Sequence, residues 1–199
     1  DGSSRWITGP QAREYNHLLR GEVDALLVGI NTILRDNPRL TVRHPLWREK
    51  RLTRVVLDSS LRLSPDSRLL TTLDRGPVIV FTSARASEKK RKSLESRGVK
   101  IKTVEGEAHR LNLHQVLREL GKLGLASLLV EGGSEVLTSF LEENLADKIF
   151  LHLAPRLIGG LKAPSLFAGT GFSSLKNSLK LRQYRTFSLG PDTILEGYF

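Results

Sequence analysis

Short apolar runs recur along the chain and alternate with segments whose apolar residues lie three or four positions apart. Runs of four to eight apolar residues bounded by polar residues predict buried strands, and the wider spacing predicts amphipathic helices. The predicted strands cover residues 24–30, 40–42, 54–58, 78–81, 99–104, 127–130 and 148–154. Two further strand-like segments lie near residues 179–188 and 193–199.

Helix signals fill most of the intervals between these strands. The first predicted helix begins at Pro10, a residue tolerated in a first turn, and stops at Gly21. A charged helix ends at Gly98, an amphipathic one at Gly124, and another follows Gly133. Residues 35–39, rich in Asn, Pro and Arg, are predicted to form a loop.

This alternation indicates an α/β fold with a largely parallel, twisted sheet flanked by helices and an antiparallel hairpin at its C-terminal edge. The 199 residues contain no repeat, low-complexity tract or long linker, so one domain spanning residues 1–199 is expected. A chain of this length can bury a sizeable core.

Composition narrows the chemistry. The absence of cysteine excludes disulfides, thiolate metal sites and a Cys nucleophile, and the five histidines have no metal-ligand spacing, so no metal is expected. No apolar run approaches the roughly 20 residues of a membrane span, and we expect no signal peptide. We therefore expect a cytoplasmic protein with no membrane partner.

The chain carries 31 Lys+Arg and 21 Asp+Glu, a formal net charge of +10. Such a surplus is compatible with nucleic acid or with phosphorylated small molecules. Eight Lys/Arg lie between Arg85 and Lys102, where a solvated helix face explains most of them. Aromatic residues make up only 6% and are not interleaved with basic ones, which disfavours binding of single-stranded nucleic acid.

Ligands of open α/β sheets bind beyond the carboxyl ends of the strands. The polar residues that follow the predicted strands are therefore candidate site residues: Asn31, Thr32, Asp36, Ser59, Arg62, Thr82, Ser83, Arg85 and Glu131. The pair Gly132-Gly133 lies between a strand and a helix N-terminus, where backbone N–H groups and the helix dipole favour a phosphate. A tight turn explains the glycines equally well, and Glu131 could bind a nitrogenous ring or only cap the helix.

Five segments, taken in order, resemble a known family. They are Ser4-Arg-Trp-Ile-Thr8, Leu26-Leu-Val-Gly-Ile-Asn-Thr-Ile-Leu-Arg-Asp-Asn-Pro-Arg-Leu-Thr-Val-Arg43, Val55-Val-Leu-Asp-Ser59, Leu128-Leu-Val-Glu-Gly-Gly133 and Ala154-Pro-Arg-Leu-Ile-Gly159. Together they resemble the reductase domain of the bifunctional riboflavin-biosynthesis deaminase/reductase, which is related in fold to dihydrofolate reductase.

The resemblance implies NADPH-dependent reduction of 5-amino-6-(5-phosphoribosylamino)uracil, with hydride transfer to ribose C1′. It implies cofactor contacts from Trp6, Thr8, Thr32, Asp36 and Ser59, and a pyrophosphate held by residues 133–139. Around this segment the implied cofactor-binding residues are Gly132, Gly133, Ser134, Glu135, Val136, Leu137, Thr138 and Ser139.

On the substrate side the resemblance implies that Ser4, Arg20, Leu40 and Arg43 surround the ribose phosphate. It also implies that Glu131 accepts hydrogen bonds from the pyrimidine. Asp36 and Glu131 are the candidate catalytic residues, although water or a substrate hydroxyl could equally supply the proton. A cofactor 2′-phosphate could meet Ser59, Arg62, Ser83 or Arg85.

The family normally has a strand before Ser4, which we expect to be absent from this sequence or to belong to an N-terminal part outside it. Zinc deaminases need cysteine, so the deaminase half is not expected in this chain. The resemblance further implies a homodimer. Two competing hypotheses are a basic nucleic-acid-binding module and a reductase-like domain without catalysis.

Overall fold

The computed structural model describes residues 6–107, 110–160, 163–169 and 171–199, and the side chain of Glu107 is not described. Its α-helices are α1 (Pro10–Glu22), α2 (Ile30–Asp36), α3 (Glu88–Glu95), α4 (Leu113–Lys122) and α5 (Ser134–Glu142). The strands are β1 (Ala25–Gly29), β2 (Thr53–Leu57), β3 (Val78–Thr82), β4 (Lys100–Thr103), β5 (Gly106–Glu107), β6 (Arg110–Leu111), β7 (Leu128–Val130), β8 (Lys148–Leu153), β9 (Gln183–Leu189) and β10 (Asp192–Tyr198). Short 3-10 helices cover Pro45–Trp47, Leu70–Arg75 and Leu175–Asn177.

The main sheet has five parallel strands in the order β4-β3-β2-β1-β7. Strand β1 lies between β2 and β7, and all five of its residues are buried. Burial on both faces is typical of a central parallel strand covered by helices, and it accounts for the uninterrupted apolar run in the sequence. The predicted α/β class and parallel sheet are confirmed.

Two apolar clusters cover opposite faces of this sheet. Leu26 and Val28 belong to one cluster, and Ala25 and Leu27 belong to the other. This alternation follows from the two-residue period of a strand, which sends successive side chains to opposite faces. Strand β1 therefore contributes to both halves of the core.

The C-terminal hairpin is also confirmed, but within the described part of the chain it belongs to a separate sheet. Strands β9 and β10 pair antiparallel, and β10 pairs on its other side with β8. The resulting order is β8-β10-β9, and β5 and β6 form a further two-stranded sheet that the sequence pattern did not predict.

The predicted strand at residues 40–42 is wrong. Leu40 has φ 54°, a left-handed conformation that an extended strand does not contain. The backbone here bonds to helix α1 instead of to a strand: Thr41 O accepts from Arg20 Nη1 at 3.2 Å, and Arg43 N donates to His17 Nδ1 at 3.3 Å.

The boundary between the first strand and the loop 35–39 also needs correction, because helix α2 follows β1 directly. Ile30 and Ile33 are the buried residues of this helix. Its first apolar residues continue the run of β1, so the sequence pattern extended the strand and missed the helix. The helix ends at Asp36 and is capped by Asn37, whose backbone is left-handed (φ 42°) and whose N–H bonds to Ile33 O.

Gly21 does not stop the first helix, which continues to Glu22. The glycine is needed for a different reason. A Cβ at this position would lie 2.2 Å from Trp47 Cδ1 and 2.3 Å from Trp47 Cγ. Because those atoms are near the root of a bulky side chain, Gly21 gives Trp47 room to pack against α1. Among the described residues, no helix is long and apolar enough to cross a membrane.

We predict opposite effects for alanine at two helical glycines. At Gly121 in α4, nothing described lies within 4 Å of the place that a methyl group would take, so Gly121→Ala should raise the free energy of unfolding by up to about 1 kcal/mol through helix propensity. Gly21→Ala should lower it by about 1–3 kcal/mol, because Trp47 must move. Urea unfolding of both variants measures this, and equal stabilisation by both would contradict the packing role of Gly21.

Candidate functional site

The carboxyl ends of the five parallel strands lie along one edge of the sheet. Glu131 and the glycines follow β7, Thr32 follows β1, Ser59 follows β2, and Ser83 follows β3. The order across the edge therefore runs from Glu131 through Thr32 and Ser59 to Ser83. Neighbouring strands are about 4.8 Å apart, so this row is long enough for an extended ligand.

Gly132 and Gly133 form a tight turn against helix α2. Their φ values are 68° and 82°, a region that side-chain-bearing residues rarely adopt. A Cβ on Gly132 would lie 3.2 Å from Thr32 Oγ1. The turn therefore requires glycine and brings the loop after β7 into contact with Thr32.

Helix α5 begins at this turn with open backbone donors. Gly133 is the N-cap and no side chain caps the helix, and the first intrahelical bond joins Leu137 N to Gly133 O. The N–H groups of residues 134–136 therefore have no partner within the helix. They are available, with the dipole, to an anion at this end of α5.

The hydroxyl groups of Thr138 and Ser139 in α5 bond to backbone carbonyls of the same helix. Thr138 Oγ1 donates to Ser134 O at 2.8 Å and Ser139 Oγ donates to Glu135 O at 2.9 Å. Val136 packs towards Gly29, where an added Cβ would lie 2.8 Å from Val136 Cγ2. Backbone groups of the first turn, rather than these side chains, are thus suited to hold a phosphate.

Glu131 is held by two residues of helix α1. Arg20 makes a bidentate ion pair with it, from Nε to Oε1 at 2.7 Å and from Nη2 to Oε2 at 2.5 Å. Asn16 Nδ2 donates to Oε1 at 3.0 Å. Both ionic side chains are less than one-fifth exposed, so the carboxylate is fixed in orientation.

The loop after α2 is tied to the same helix. Besides Glu131, Arg20 binds Thr41 O, so one guanidinium group links the Glu131 carboxylate to the loop that carries Leu40 and Arg43. The Leu40 side chain is buried in the core, which leaves only its backbone for contact with a ligand. Burial, together with Arg20 and Arg39, lowers the pKa of Arg43, and an anion nearby would relieve that repulsion.

His17 lies between these groups. Burial, with contributions from the Arg20 and Arg43 charges, lowers its pKa to about 4. The imidazole is therefore neutral at pH 7, and because Nδ1 accepts from Arg43 N, its proton is on Nε2. His17 supports the loop without adding positive charge to the arginine cluster.

Trp6 and Thr8 lie just before helix α1. Arg13 stacks its guanidinium 4.3 Å from the exposed Trp6 ring, and its Nη1 donates to Thr8 O at 2.6 Å. Gly9 N donates to Asp192 Oδ2 at 2.6 Å. These contacts connect Trp6 and Thr8 to α1 and β10, not directly to the glycine turn.

At the far end of the row, Ser59 is joined to the loop after β3. Ser59 O receives hydrogen bonds from Ser83 Oγ at 2.9 Å and from Ser83 N and Thr82 Oγ1 at 3.2 Å. Beside these hydrogen bonds lies a cavity of about 460 Å³ that has both polar and apolar residues in its wall. It is lined by Ser83, Ala84, Arg85, Thr103, Val104, Glu105, Gly106 and Gln115.

A second, more basic cavity of about 720 Å³ lies beside the loop after α2. Four arginines line it together with His44, Glu49 and Asp74: Arg39, Arg43, Arg48 and Arg75. Arg43 thus belongs to both this cavity and the loop held by α1.

Not all predicted site residues are brought together. Asp36 lies exposed at the end of α2, one turn after Thr32 and on the same helix face. Ser4 lies outside the described residues. His152 of β8 is half-buried with its ring 6.3 Å from Tyr15, in keeping with the packed role its apolar strand suggests. No group of three or more His, Asp or Glu in the described ranges is placed to hold a metal ion.

Four contributing residues were not predicted from the sequence. Asn16, His17 and Arg13 are ordinary polar positions of an amphipathic helix, and Asp192 is one residue of a hairpin. Most of their partners lie far away in sequence, and only the crossing of α1 over the sheets brings them together. A helical projection does place Asn16, His17 and Arg20 on neighbouring faces, which is the one hint available.

Together, these features define an α/β domain whose parallel sheet carries, at its carboxyl edge, a glycine turn and an ion-paired carboxylate. Comparison with known proteins identifies the family. Residues 1–195 match the RibD C-terminal domain family, and the chain belongs to it. The expected resemblance is confirmed.

Two relatives illustrate the match. A riboflavin biosynthesis protein RibD from Aquifex aeolicus is 37% identical over 195 residues, covering 98% of this chain and 51% of that protein. A 2,5-diamino-6-ribosylamino-4(3H)-pyrimidinone 5′-phosphate reductase from Methanothermobacter thermautotrophicus is 36% identical over 98% of this chain and 88% of its own length.

A solved structure supports the same family. It is described as a diaminohydroxyphosphoribosylaminopyrimidine deaminase/5-amino-6-(5-phosphoribosylamino)uracil reductase from Thermotoga maritima, and it superposes with a TM-score of 0.78 at 28% identity. The match covers 99% of this chain and 51% of the Thermotoga chain. This chain thus spans about half the length of the Aquifex RibD and Thermotoga proteins.

Proposed function

We propose that this chain is a pyrimidine reductase of riboflavin biosynthesis. It reduces 5-amino-6-(5-phosphoribosylamino)uracil to the ribitylamino compound with NADPH. The observation that carries the proposal is the glycine turn at residues 132–133 directly after Glu131, which sets an anion cradle beside a fixed carboxylate. The family and the two named reductases support the same activity.

The cofactor fits the residues at the carboxyl edge. The open N–H groups of α5 suit a pyrophosphate, and Gly132 leaves space beside Thr32 that a side chain would fill. When bound, the nicotinamide would supply the hydride for ribose C1′. Thr32 and Asp36 then face the nicotinamide ribose, Trp6 and Thr8 lie beside it, and Ser59 meets the adenosine.

The substrate fits the opposite side of Glu131. Arg43 and Arg20 provide charge-assisted donors for the ribose phosphate, and Ser4 and the Leu40 backbone complete that proposed contact. Glu131 accepts from the pyrimidine, and Asp36 is the candidate proton donor. The protein's contribution is alignment of the donor and acceptor carbons and charge stabilisation.

Turnover of the defined substrate tests this function. The purified chain should oxidise NADPH, seen as loss of nicotinamide absorbance, only when the phosphoribosylaminouracil is supplied. Gly132→Val should abolish the reaction and weaken NADPH binding, since its side chain meets Thr32. Absence of both NADPH binding and turnover in wild type would refute the proposal.

We further propose that Arg85 selects NADPH over NADH. Of the four candidates for the 2′-phosphate, Arg62 Nη2 already donates to Asn31 Oδ1 at 2.9 Å, whereas Arg85 and Ser83 line the 460 Å³ cavity. That cavity adjoins Ser59 through the Ser83 bonds, so it lies at the adenosine end of the row. Among the described residues that line the cavity, Arg85 alone is positively charged.

Arg85→Ala should weaken NADPH binding on the order of tenfold or more and leave NADH binding unchanged, because a charge-assisted bond is lost only with the phosphate. Arg62→Ala is the matched control, with little effect on either. Titration calorimetry with both dinucleotides measures this. If Arg62→Ala greatly weakened NADPH binding and Arg85→Ala did not, the 2′-phosphate contact would be assigned to Arg62 instead.

We also propose that the chain forms a homodimer through the segment that connects β8 to β9 along the sequence. Large apolar side chains of this segment are exposed, including Leu157, Ile158, Phe172 and Leu175, and Tyr184 of β9 is exposed as well. Apolar surface concentrated in this way marks interaction sites, and a stable dimer needs roughly 800 Å² from each partner.

Sedimentation equilibrium should give a dimer for wild type and a monomer for the pair Leu157→Asp and Leu175→Asp. Leu46 is 76% exposed outside this surface, so Leu46→Asp is the control and should remain dimeric. A monomeric wild type, or a dimer that survives the double substitution, would contradict the proposed interface.

A further inference from the structure

Helix α1 carries two arginines on one face, and they differ in how their charge is balanced. Arg13 and Arg20 are seven positions apart, about two helical turns, so they lie on the same side of α1 about 10 Å from each other. Arg20 is paired with the Glu131 carboxylate. Arg13 has no carboxylate within ion-pair distance among the residues that the structure describes, so its positive charge is not neutralised there.

Arg13 holds two residues that precede the helix. Its guanidinium lies 4.3 Å from the centroid of the Trp6 ring, and its Nη1 donates to Thr8 O at 2.6 Å. The Arg13 side chain is half-buried, whereas Trp6 is 63% exposed. A guanidinium over one face of the indole therefore fixes the ring, and most of the ring surface that Arg13 does not cover is accessible to a ligand.

Resting on the proposed function, in which Trp6 lies beside the nicotinamide end of the cofactor, we propose that Arg13 is a positioning residue that makes the site favour the reduced over the oxidised cofactor. The oxidised nicotinamide ring carries a positive charge, and the reduced ring carries none. A nicotinamide stacked on the open face of Trp6 lies about 9 Å from the guanidinium, because the two groups cover opposite faces of one indole. Like charges at this distance repel, so only the oxidised ring is disfavoured.

The contacts of Arg13 keep its charge in place for this role. The bond to Thr8 O and the stacking on Trp6 act on the same guanidinium, so it cannot turn away from the ring without losing both. Arg20 cannot act in the same way, because the Glu131 carboxylate neutralises it. Once the hydride has left, the ring is positive and the repulsion is complete, which weakens binding of the spent cofactor and favours its release.

The test is the dissociation constant of NADP⁺ divided by that of NADPH, both measured by titration calorimetry at low ionic strength. Arg13→Gln removes the charge but keeps an amide donor near Thr8 O, so it should lower this ratio on the order of threefold. Arg13→Met is uncharged as well and should lower the ratio equally, which keeps the test intact if the Gln variant does not fold. Arg13→Lys retains a cation over the ring and should keep the ratio of wild type.

Two further variants separate the charge of Arg13 from general damage. Arg97→Gln removes the same charge from an exposed residue that precedes β4, at the amino edge of the sheet and away from the ligand edge, so the ratio should not change. Trp6→Leu removes the stacking surface and should weaken binding of both dinucleotides. If Arg13 served only to hold the local structure, its uncharged variants would weaken both dinucleotides equally and leave the ratio unmoved.

The outcomes distinguish this inference from the proposed function. If wild type binds both dinucleotides and reduces the substrate, but the uncharged Arg13 variants keep the ratio of wild type, the role of Arg13 alone is overturned. A ratio that also falls in Arg13→Lys, or unchanged binding in Trp6→Leu, has the same consequence. Wild type that binds no NADPH overturns both proposals. A ratio that falls only in the uncharged Arg13 variants supports both.

Discussion

The bidentate ion pair between Arg20 and Glu131 joins the parts of this molecule that the fold leaves separate. Glu131 follows β7 of the main sheet, and Arg20 belongs to helix α1. The same helix packs Tyr15 against Phe150 and Phe187 of the three-stranded sheet, with ring centroids 6.1 and 5.6 Å apart. The helix is thus the bridge between the two sheets. Removing either ionic partner would leave the other poorly solvated and uncompensated, which is more costly than losing an exposed pair.

The same helix determines where the basic loop lies. Two residues of that loop, Asn37 and Leu40, adopt left-handed backbone conformations without being glycine, which costs about 1 kcal/mol or more each. Burial of the Leu40 side chain and the bond from Arg68 N to Asn37 Oδ1 offset that cost. The buried Arg54 guanidinium adds further bonds to Arg39 O, Thr72 O and Gly76 O. A strained loop held at so many points presents its arginines in a fixed place.

The sequence pattern was sufficient for the central strands β1, β2 and β3 of the main sheet, because burial on both faces leaves a largely apolar run. It was also sufficient for the glycine turn, since two glycines between a strand and a helix have few structural explanations. It failed at Leu40, because a triplet with apolar residues at its first and third positions contains no information about the sign of φ. The prediction that Gly21 ends the first helix failed for a related reason. The residue that requires the glycine, Trp47, is distant in sequence. Of the candidate site, Glu131 and Arg20 were anticipated as ligand contacts, whereas their pairing with each other depends on how α1 crosses the sheet.

Strand β1 has a consequence beyond the position of the site. Its alternate side chains enter the two apolar clusters on opposite faces of the sheet, and it is hydrogen-bonded to β2 and β7 on either side. If the apolar cluster on one face of the sheet becomes disordered, β1 loses its packing on that face. The cluster on the other face is then disturbed as well, because it depends on the same strand. The ligand edge is thereby anchored on a strand that both layers of the core hold, whereas its loops, like ligand-binding loops in general, can open locally.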